Sequence, residues 1–139
     1  MNANDLKVLA FIGVMAVGCS VQPVAMDRME TPLAAPGDAA RGREVFISRE
    51  GGHCVLCHAV PGVEVAGNFG PALAGVASRL TPAQIRLRVA DITRVNPDAV
   101  MPAFHRTAGL RRVAPEYRDR PVLSGQQVED VVAWLSTLK

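Results

Sequence analysis

Two cysteines and a histidine stand close together in the run Cys54-Val55-Leu56-Cys57-His58, which has the spacing C-x-x-C-H. This spacing is typical of covalent haem attachment. Two thiols about one helical turn apart can bond to the two vinyl groups on one haem edge, and the adjacent imidazole can turn under the iron. The sequence therefore predicts one covalent haem c, attached through Cys54 and Cys57, with His58 as the proximal iron ligand.

Two other site types use paired cysteines. A thioredoxin-like redox pair is expected beside a βαβ pattern, and none is visible around Cys54 and Cys57. A zinc site would need two further ligands nearby. The only other cysteine is Cys19, near the N-terminus, so the cysteines also give no wider disulfide framework. Haem attachment is the interpretation that the motif favours.

The distal iron ligand is predicted to be Met101. Of the five methionines, Met1 and Met15 lie in the N-terminal apolar stretch, and Met26 and Met29 lie in the segment after it. Met101 stands in a loop bounded by two prolines, which suits a thioether brought over the haem. A methionine that fills the core is the other interpretation. The remaining histidines are rivals: His105 lies four residues on, and His53 adjoins Cys54 too closely to cross the ring.

The N-terminus predicts export. Residues 8–17 form an apolar run after Lys7, which is too short to span a bilayer but has the length of a signal-peptide core. The small residue before Cys19 resembles a lipoprotein cleavage box, so Cys19 is a candidate for lipidation and membrane anchoring; the alternative is an ordinary leader cut after Ser20 or Ala25. We predict a signal peptide over residues 1–20, a flexible tether over 21–37, a domain over 38–139, and a periplasmic location.

Composition limits what the domain can do. A chain of 139 residues with a removable leader fits one small domain. Only 4% of its residues are aromatic, so a buried haem would supply apolar bulk that the side chains lack. A net charge of +2 and the absence of a recognition motif argue against nucleic acid as a partner.

Three main helices are predicted, and no segment reads as a strand. The first begins after Asp38 as N-cap and ends before residues 51–52. The second begins at a Thr81 to Gln84 capping box, carries Ile85, Val89 and Ile92 on one face, and is stopped by residues 96–97. The third begins at a Ser124 to Gln127 capping box and has apolar residues at helical spacing, namely Val128, Val131, Val132, Leu135 and Leu138.

Residues 67–73 resemble the segment of class I cytochromes c in which a proline carbonyl accepts a hydrogen bond from the proximal histidine. This resemblance implies an all-α, class I cytochrome c fold around one haem and gives Pro71 that role. Such an acceptor fixes the imidazole and strengthens it as a ligand. In the same family the first and last helices cross at a glycine, and Gly42, Phe46 and Trp134 match those positions.

Several segments resemble the SoxX family more specifically, above all Arg-Val-Ala-Pro-Glu-Tyr at residues 112–117. The others are residues 67–76, 79–86, 95–104 and 121–135. SoxX proteins are the small monohaem subunits of the SoxAX cytochromes of bacterial thiosulfate oxidation. The resemblance implies a dihaem or monohaem SoxA partner that couples thiosulfate to a carrier-protein cysteine. This chain would take up the released electrons and pass them to another c-type cytochrome, as a non-catalytic subunit.

Residues 106–120 form an arginine-rich, irregular segment after the Met101 loop, and we predict that it contributes to the SoxA interface. A solvated loop and pairing of an arginine with a haem propionate are the alternatives. For the whole protein, the rival functions are a free monohaem carrier of another respiratory pathway, and a haem enzyme or gas sensor in which Met101 leaves the iron.

Overall fold

The computed structural model describes residues 27–111 and 113–139, and throughout these ranges the regular structure is helical, without strands. This confirms the predicted all-α class. The predicted signal peptide, including Cys19, and the first part of the predicted tether lie outside the described residues. Four α-helices are present: α1 (Ala39–Ile47), α2 (Val76–Arg79), α3 (Pro82–Asp91) and α4 (Gly125–Leu135). Short 3-10 helices occupy Cys54–Leu56, Ile92–Arg94 and Pro115–Tyr117.

All three predicted helix starts are confirmed. The Asp38 side chain accepts the Arg41 N–H at 2.9 Å and begins α1. Complete capping boxes begin the other two long helices: Thr81 and Gln84 for α3, and Ser124 with its Gln127 partner for α4. In each box two N–H groups that lack partners within the helix are satisfied by side chains, which fixes the first turn.

The helix predicted to run to residues 96–97 ends earlier. Helix α3 stops at Asp91, whose backbone leaves the helical region (φ −159°, ψ 86°), and a 3-10 turn over Ile92–Arg94 follows. At this point the Asp91 carboxylate accepts the Thr93 N–H at 3.2 Å and caps the new turn. Ile92 is therefore only half-buried, unlike Ile85 and Val89. The single turn α2 was not predicted.

Helices α1 and α4 cross at Gly42, as predicted. A Cβ placed on Gly42 would overlap the carbonyl of Asp130 and lie 3.0 Å from the Cβ of Trp134. Only glycine allows this approach of the two backbones. One turn along, Phe46 and Trp134 meet edge to face, with ring centroids 4.8 Å apart. Phe46 is 1% exposed, so this crossing is the centre of the core.

A buried carboxylate reinforces the crossing. Asp130 on α4 accepts two hydrogen bonds from the Arg41 guanidinium, each of 2.9 Å, and a third at 2.8 Å from the Asp38 N–H. The bidentate contact with Arg41 lowers the pKa of Asp130 to about 2, against the opposing effect of burial. Asp130 therefore stays ionised and ties the start of α1 to α4.

Residues 27–37, which fall in the predicted tether, lie against α3 and α4. The Met29 N–H donates to the Ala83 carbonyl at 2.9 Å, and the Leu33 N–H donates to Glu129 Oε1 at 2.9 Å. Arg86 joins both ends of this contact, because it donates to the Met29 carbonyl at 2.8 Å and forms a bidentate pair with Glu129 at 2.7 and 2.9 Å. Packing thus extends before the predicted boundary at residue 38.

Candidate haem-binding site

A cavity of about 930 Å³ opens between the helices and the two loops that carry the predicted ligands. Its floor consists of apolar core side chains of the three longest helices: Phe46, Ile85, Val89, Val131 and Leu135. Cavities of this size and character hold large apolar cofactors. The helix crossing described above therefore forms one wall of the candidate site.

The C-x-x-C-H run folds as a tight turn that presents its three reactive residues to this cavity. A 3-10 helix spans Cys54–Leu56, and the N–H groups of Cys57 and His58 both donate to the Cys54 carbonyl, at 3.1 and 2.9 Å. Cys54, Cys57 and His58 all line the cavity, whereas Val55 points into the core and is 8% exposed. The structure thus brings together the three residues that the motif predicted.

His58 is oriented by a backbone carbonyl. Its Nδ1 lies 2.8 Å from the Pro71 oxygen. A carbonyl can only accept, so Nδ1 carries the proton and Nε2 keeps its lone pair for a metal. This is the contact that the class I resemblance implied for Pro71, and it is the usual way in which a protein orients a histidine ligand.

Gly70 lies directly beneath the His58 ring. A Cβ at Gly70 would be 2.5 Å from the ring Cε1 and 2.8 Å from Nδ1. A side chain there would therefore push the imidazole out of place. The sequence showed Gly70 only as part of the segment over residues 67–73, because the contact depends on how the loop folds back against His58.

Met101 lines the same cavity from the loop that follows the Ile92–Arg94 turn. It is partly buried and also contacts the core cluster, which is the packing role that the sequence left open. His105 is not among the residues that line the cavity, and its Nδ1 lies 2.9 Å from the Leu123 carbonyl. His53 lies at the cavity beside Cys54, in the left-handed conformation with φ 45°. The structure thus groups Met101, rather than His105, with His58.

The two competing cysteine sites do not fit this geometry. A thioredoxin-like redox pair is expected beside a βαβ unit, and the described residues form no strand. No group of three or more His, Cys, Asp or Glu side chains among the described residues is placed to hold a metal ion. The donors that do converge, two thiols and one imidazole on an apolar cavity, match the requirements of haem c.

Two arginines at the cavity were not singled out from the sequence. Arg79 donates to the Ala74 carbonyl at 2.8 Å, and Arg88 donates to the carbonyls of Gln84 and Asp27 at 3.0 and 3.1 Å. Both line the cavity. Their charges suit carboxylates such as haem propionates. Nothing in the local sequence distinguishes them from surface arginines.

Three large apolar side chains surround the mouth of the cavity. Leu56, Phe69 and Val100 line it and are 63%, 73% and 74% exposed. The arginine-rich segment over residues 106–120 is largely exposed, but Arg106 itself is paired with Asp91 at 3.3 Å. Arg112 lies outside the described residues. Among the residues described, no helix is long and apolar enough to cross a membrane.

The family model for cytochrome c matches residues 39–139. Among solved structures, the chain is similar to one in the crystal structure of SoxXA from P. pantotrophus, with 35% identity and a TM-score of 0.75 over 82% of this chain and 91% of that one. It is also similar to the c-type cytochrome SorU from Sinorhizobium meliloti, with 25% identity and a TM-score of 0.48 over 72% of this chain and 88% of that one. No curated protein matches the sequence. The family match and the SoxXA likeness confirm the predicted class I cytochrome c fold.

Proposed function

Since this chain belongs to the cytochrome c family, as a SoxX-type member that binds haem c covalently, we propose that it is an electron-transfer subunit of a SoxAX-type complex. The electron-transfer part of this proposal is carried by the meeting of Cys54, Cys57 and His58 on one apolar cavity, and the complex is supported by the SoxXA likeness. Haem iron with two protein ligands takes up and releases one electron at a time. Electron transfer is therefore the chemistry that we assign to this site.

Each site residue has a separate role in this proposal. Cys54 and Cys57 would form the thioether bonds, and His58 would bind the iron through Nε2, while its Nδ1–H donates to the Pro71 carbonyl. Met101 supplies its sulfur on the distal side. A histidine and methionine pair raises the reduction potential above that of two histidines, which suits an electron acceptor.

The same ligand set argues for a carrier rather than an enzyme. If His58 and Met101 both bind the iron, they would leave no coordination position open to a substrate. The domain has no cysteine besides Cys54 and Cys57, so it offers no thiol for covalent chemistry on sulfur compounds. We infer that the complex makes new sulfur bonds in its other subunit, and that this chain removes electrons.

The partner follows from the SoxXA likeness. We propose a SoxA-type dihaem or monohaem subunit that joins thiosulfate to a carrier-protein cysteine. Formation of that sulfur–sulfur bond releases one thiol proton and two electrons. A monohaem subunit would accept these electrons one at a time and pass each to another c-type cytochrome before taking the next.

We also propose a periplasmic location, because residues 1–20 have the pattern of an export signal. Haem attachment to Cys54 and Cys57 would then take place after export. If Cys19 carries a lipid, the protein is held at the membrane surface while its domain stays in the periplasm.

The test is purification of a tagged protein from its native bacterium grown on thiosulfate, followed by gel electrophoresis and staining for covalent haem. We expect a second haem-stained band in stoichiometric amount, because a SoxA-type subunit also carries haem c. A single stained band that transfers electrons fully on its own would indicate a free carrier and refute the complex. Ready binding of carbon monoxide by the reduced protein would refute the ligand set and favour a gas-binding site.

The exposed part of the arginine-rich segment is the surface that we propose for contact with SoxA. It directly follows the Met101 loop in the chain, and most of its described residues are exposed. Charge reversal at Arg111 and Arg112 should weaken the complex, which pull-down of the tagged protein measures. Retention of the full complex by this double variant would refute this interface.

A further inference from the structure

The loop that carries Met101 is closed at its base. It leaves α3 at Asp91 and returns at His105, whose N–H donates to the Ala90 carbonyl at 3.0 Å. The loop thus has the form of an Ω-loop, a compact surface segment whose ends meet. Because the ends are fixed to each other, the position of Met101 depends on what holds this base.

A polar cluster of three side chains holds the base. Arg106 Nη1 donates to Thr93 Oγ1 at 2.8 Å and lies 3.3 Å from Asp91 Oδ2, across fifteen residues of sequence. The Thr93 hydroxyl in turn donates to Asp91 Oδ1 at 2.5 Å. One guanidinium therefore binds the residue that ends α3 and the turn that begins the loop.

The cluster is poorly arranged for stability alone. The Asp91 side chain is 10% exposed, so its carboxylate has lost most of its water. Arg106 Nε is buried and has no hydrogen-bond partner, which is an uncompensated cost. The Arg106 side chain is 34% exposed, and ion pairs with a partly exposed partner contribute little net stability. A pair of this kind can instead fix one arrangement of the chain.

We propose that Asp91 and Arg106 are positioning residues that hold the Met101 loop closed over the haem. This inference rests on the proposed role of Met101 as the distal ligand. Neither residue lines the cavity, so both act through the loop. When the pair is broken, the loop opens more often, and Met101 leaves the iron more often, while the core below is retained.

The test compares the haem-loaded variants Arg106→Gln and Asp91→Asn with the wild type. Arg94→Gln is the matched control, because it removes the same charge at an exposed position of the same turn. The first measurement is the red absorption band that methionine sulfur gives to oxidised haem. The second is titration of the oxidised protein with imidazole, which occupies the iron when Met101 is absent.

We expect the apparent imidazole affinity to rise about tenfold in Arg106→Gln and Asp91→Asn, as loss of a charged hydrogen bond predicts. The methionine band should weaken in both, and Arg94→Gln should match the wild type. The double variant should show no more than the larger single effect, since both residues form one contact. Wild-type imidazole affinity in the two single variants would overturn the proposal. An equal rise in Arg94→Gln would also overturn it, because the effect would then come from loss of charge and not from this contact.

Two results separate this proposal from that for Met101. If the wild-type protein lacks the methionine band, or if Met101→Leu leaves that band unchanged, Met101 is not the ligand. The positioning role of Asp91 and Arg106 is then refuted as well. If Met101→Leu removes the band but Arg106→Gln leaves the imidazole affinity unchanged, only the positioning role of Asp91 and Arg106 is refuted. Should either charge variant fail to fold, Thr93→Val tests the same cluster by removing a neutral hydroxyl, with a smaller rise expected.

Discussion

Replacement of Gly42 by alanine has two effects of opposite sign on the free energy of unfolding. Alanine favours the helix by about 1 kcal/mol over glycine in a helix interior. Against this, the new Cβ would overlap the Asp130 carbonyl and press on Trp134 Cβ. Overpacking of a core costs about 1–3 kcal/mol, and here the cost lies at or above the upper end because the obstacle is the backbone of a neighbouring helix. We expect a net loss of about 2 kcal/mol.

Thermal unfolding of the haem-loaded protein, followed by circular dichroism, measures this loss. A loss of 2 kcal/mol in a domain of about 100 residues lowers the Tm by about 10 °C. Ala40→Gly is the control, because it reverses the substitution at an exposed position of the same helix. It should cost less than about 1 kcal/mol, since Ala40 lies in the first turn rather than in the helix interior. A Gly42→Ala protein that is more stable than the wild type would refute the close crossing of α1 and α4.

Three further substitutions test other contacts. Glu129→Gln leaves the buried charge of Arg86 unpaired and should cost about 3–5 kcal/mol in urea unfolding, whereas the double variant Glu129→Leu with Arg86→Met should cost much less. Asp130→Asn should cost about 2 kcal/mol at pH 7. Because folding lowers the pKa of Asp130, its contribution to the free energy of unfolding is complete above its ordinary pKa and disappears as the pH falls from about 4 to 2. The free energies of unfolding of wild type and variant should therefore converge at low pH. Gly70→Ala should displace the His58 ring and reduce the yield of haem-loaded protein, measured by haem stain per mass of protein; a normal yield with an unchanged spectrum would refute the contact.

The parts of this fold that follow local rules could be predicted from the sequence. Capping residues such as Asp38, Thr81 and Ser124 determine where a helix starts through contacts with residues no more than three positions away. The structure confirms all three helix starts. The Gly42 crossing was also predicted, but from resemblance to a family. Without that resemblance, a single glycine does not show which helix it faces.

The parts that were missed depend on contacts between distant residues. The end of α3 at Asp91 depends on a side chain that also binds Arg106 beyond the loop. Likewise, the segment after the predicted leader has the composition of a tether, yet Met29 and Leu33 are bound by α3 and α4 through hydrogen bonds that composition does not reveal. Arg79 and Arg88 could not be assigned to the cavity from the sequence, because their place there also depends on contacts between distant residues.

Some residues of the candidate site could likewise be predicted from the sequence, and others could not. Cys54, Cys57 and His58 are neighbours in the chain, so their spacing alone predicted a shared site. Met101 was predicted by elimination among the methionines, and its place on the cavity depends on the loop closing back over α3. Gly70 could not be assigned from the sequence, because its role exists only where two loops touch.

The proposed function depends on one haem attached through both Cys54 and Cys57. Trypsin should release residues 50–79 as one peptide, because Arg49 and Arg79 flank a stretch without lysine or arginine. Mass spectrometry of this peptide, after treatment with a thiol-alkylating reagent, is the most direct test. We predict the peptide mass plus one haem, with neither cysteine alkylated. A haem-free peptide, with two alkylated thiols or a disulfide between Cys54 and Cys57, would contradict the account.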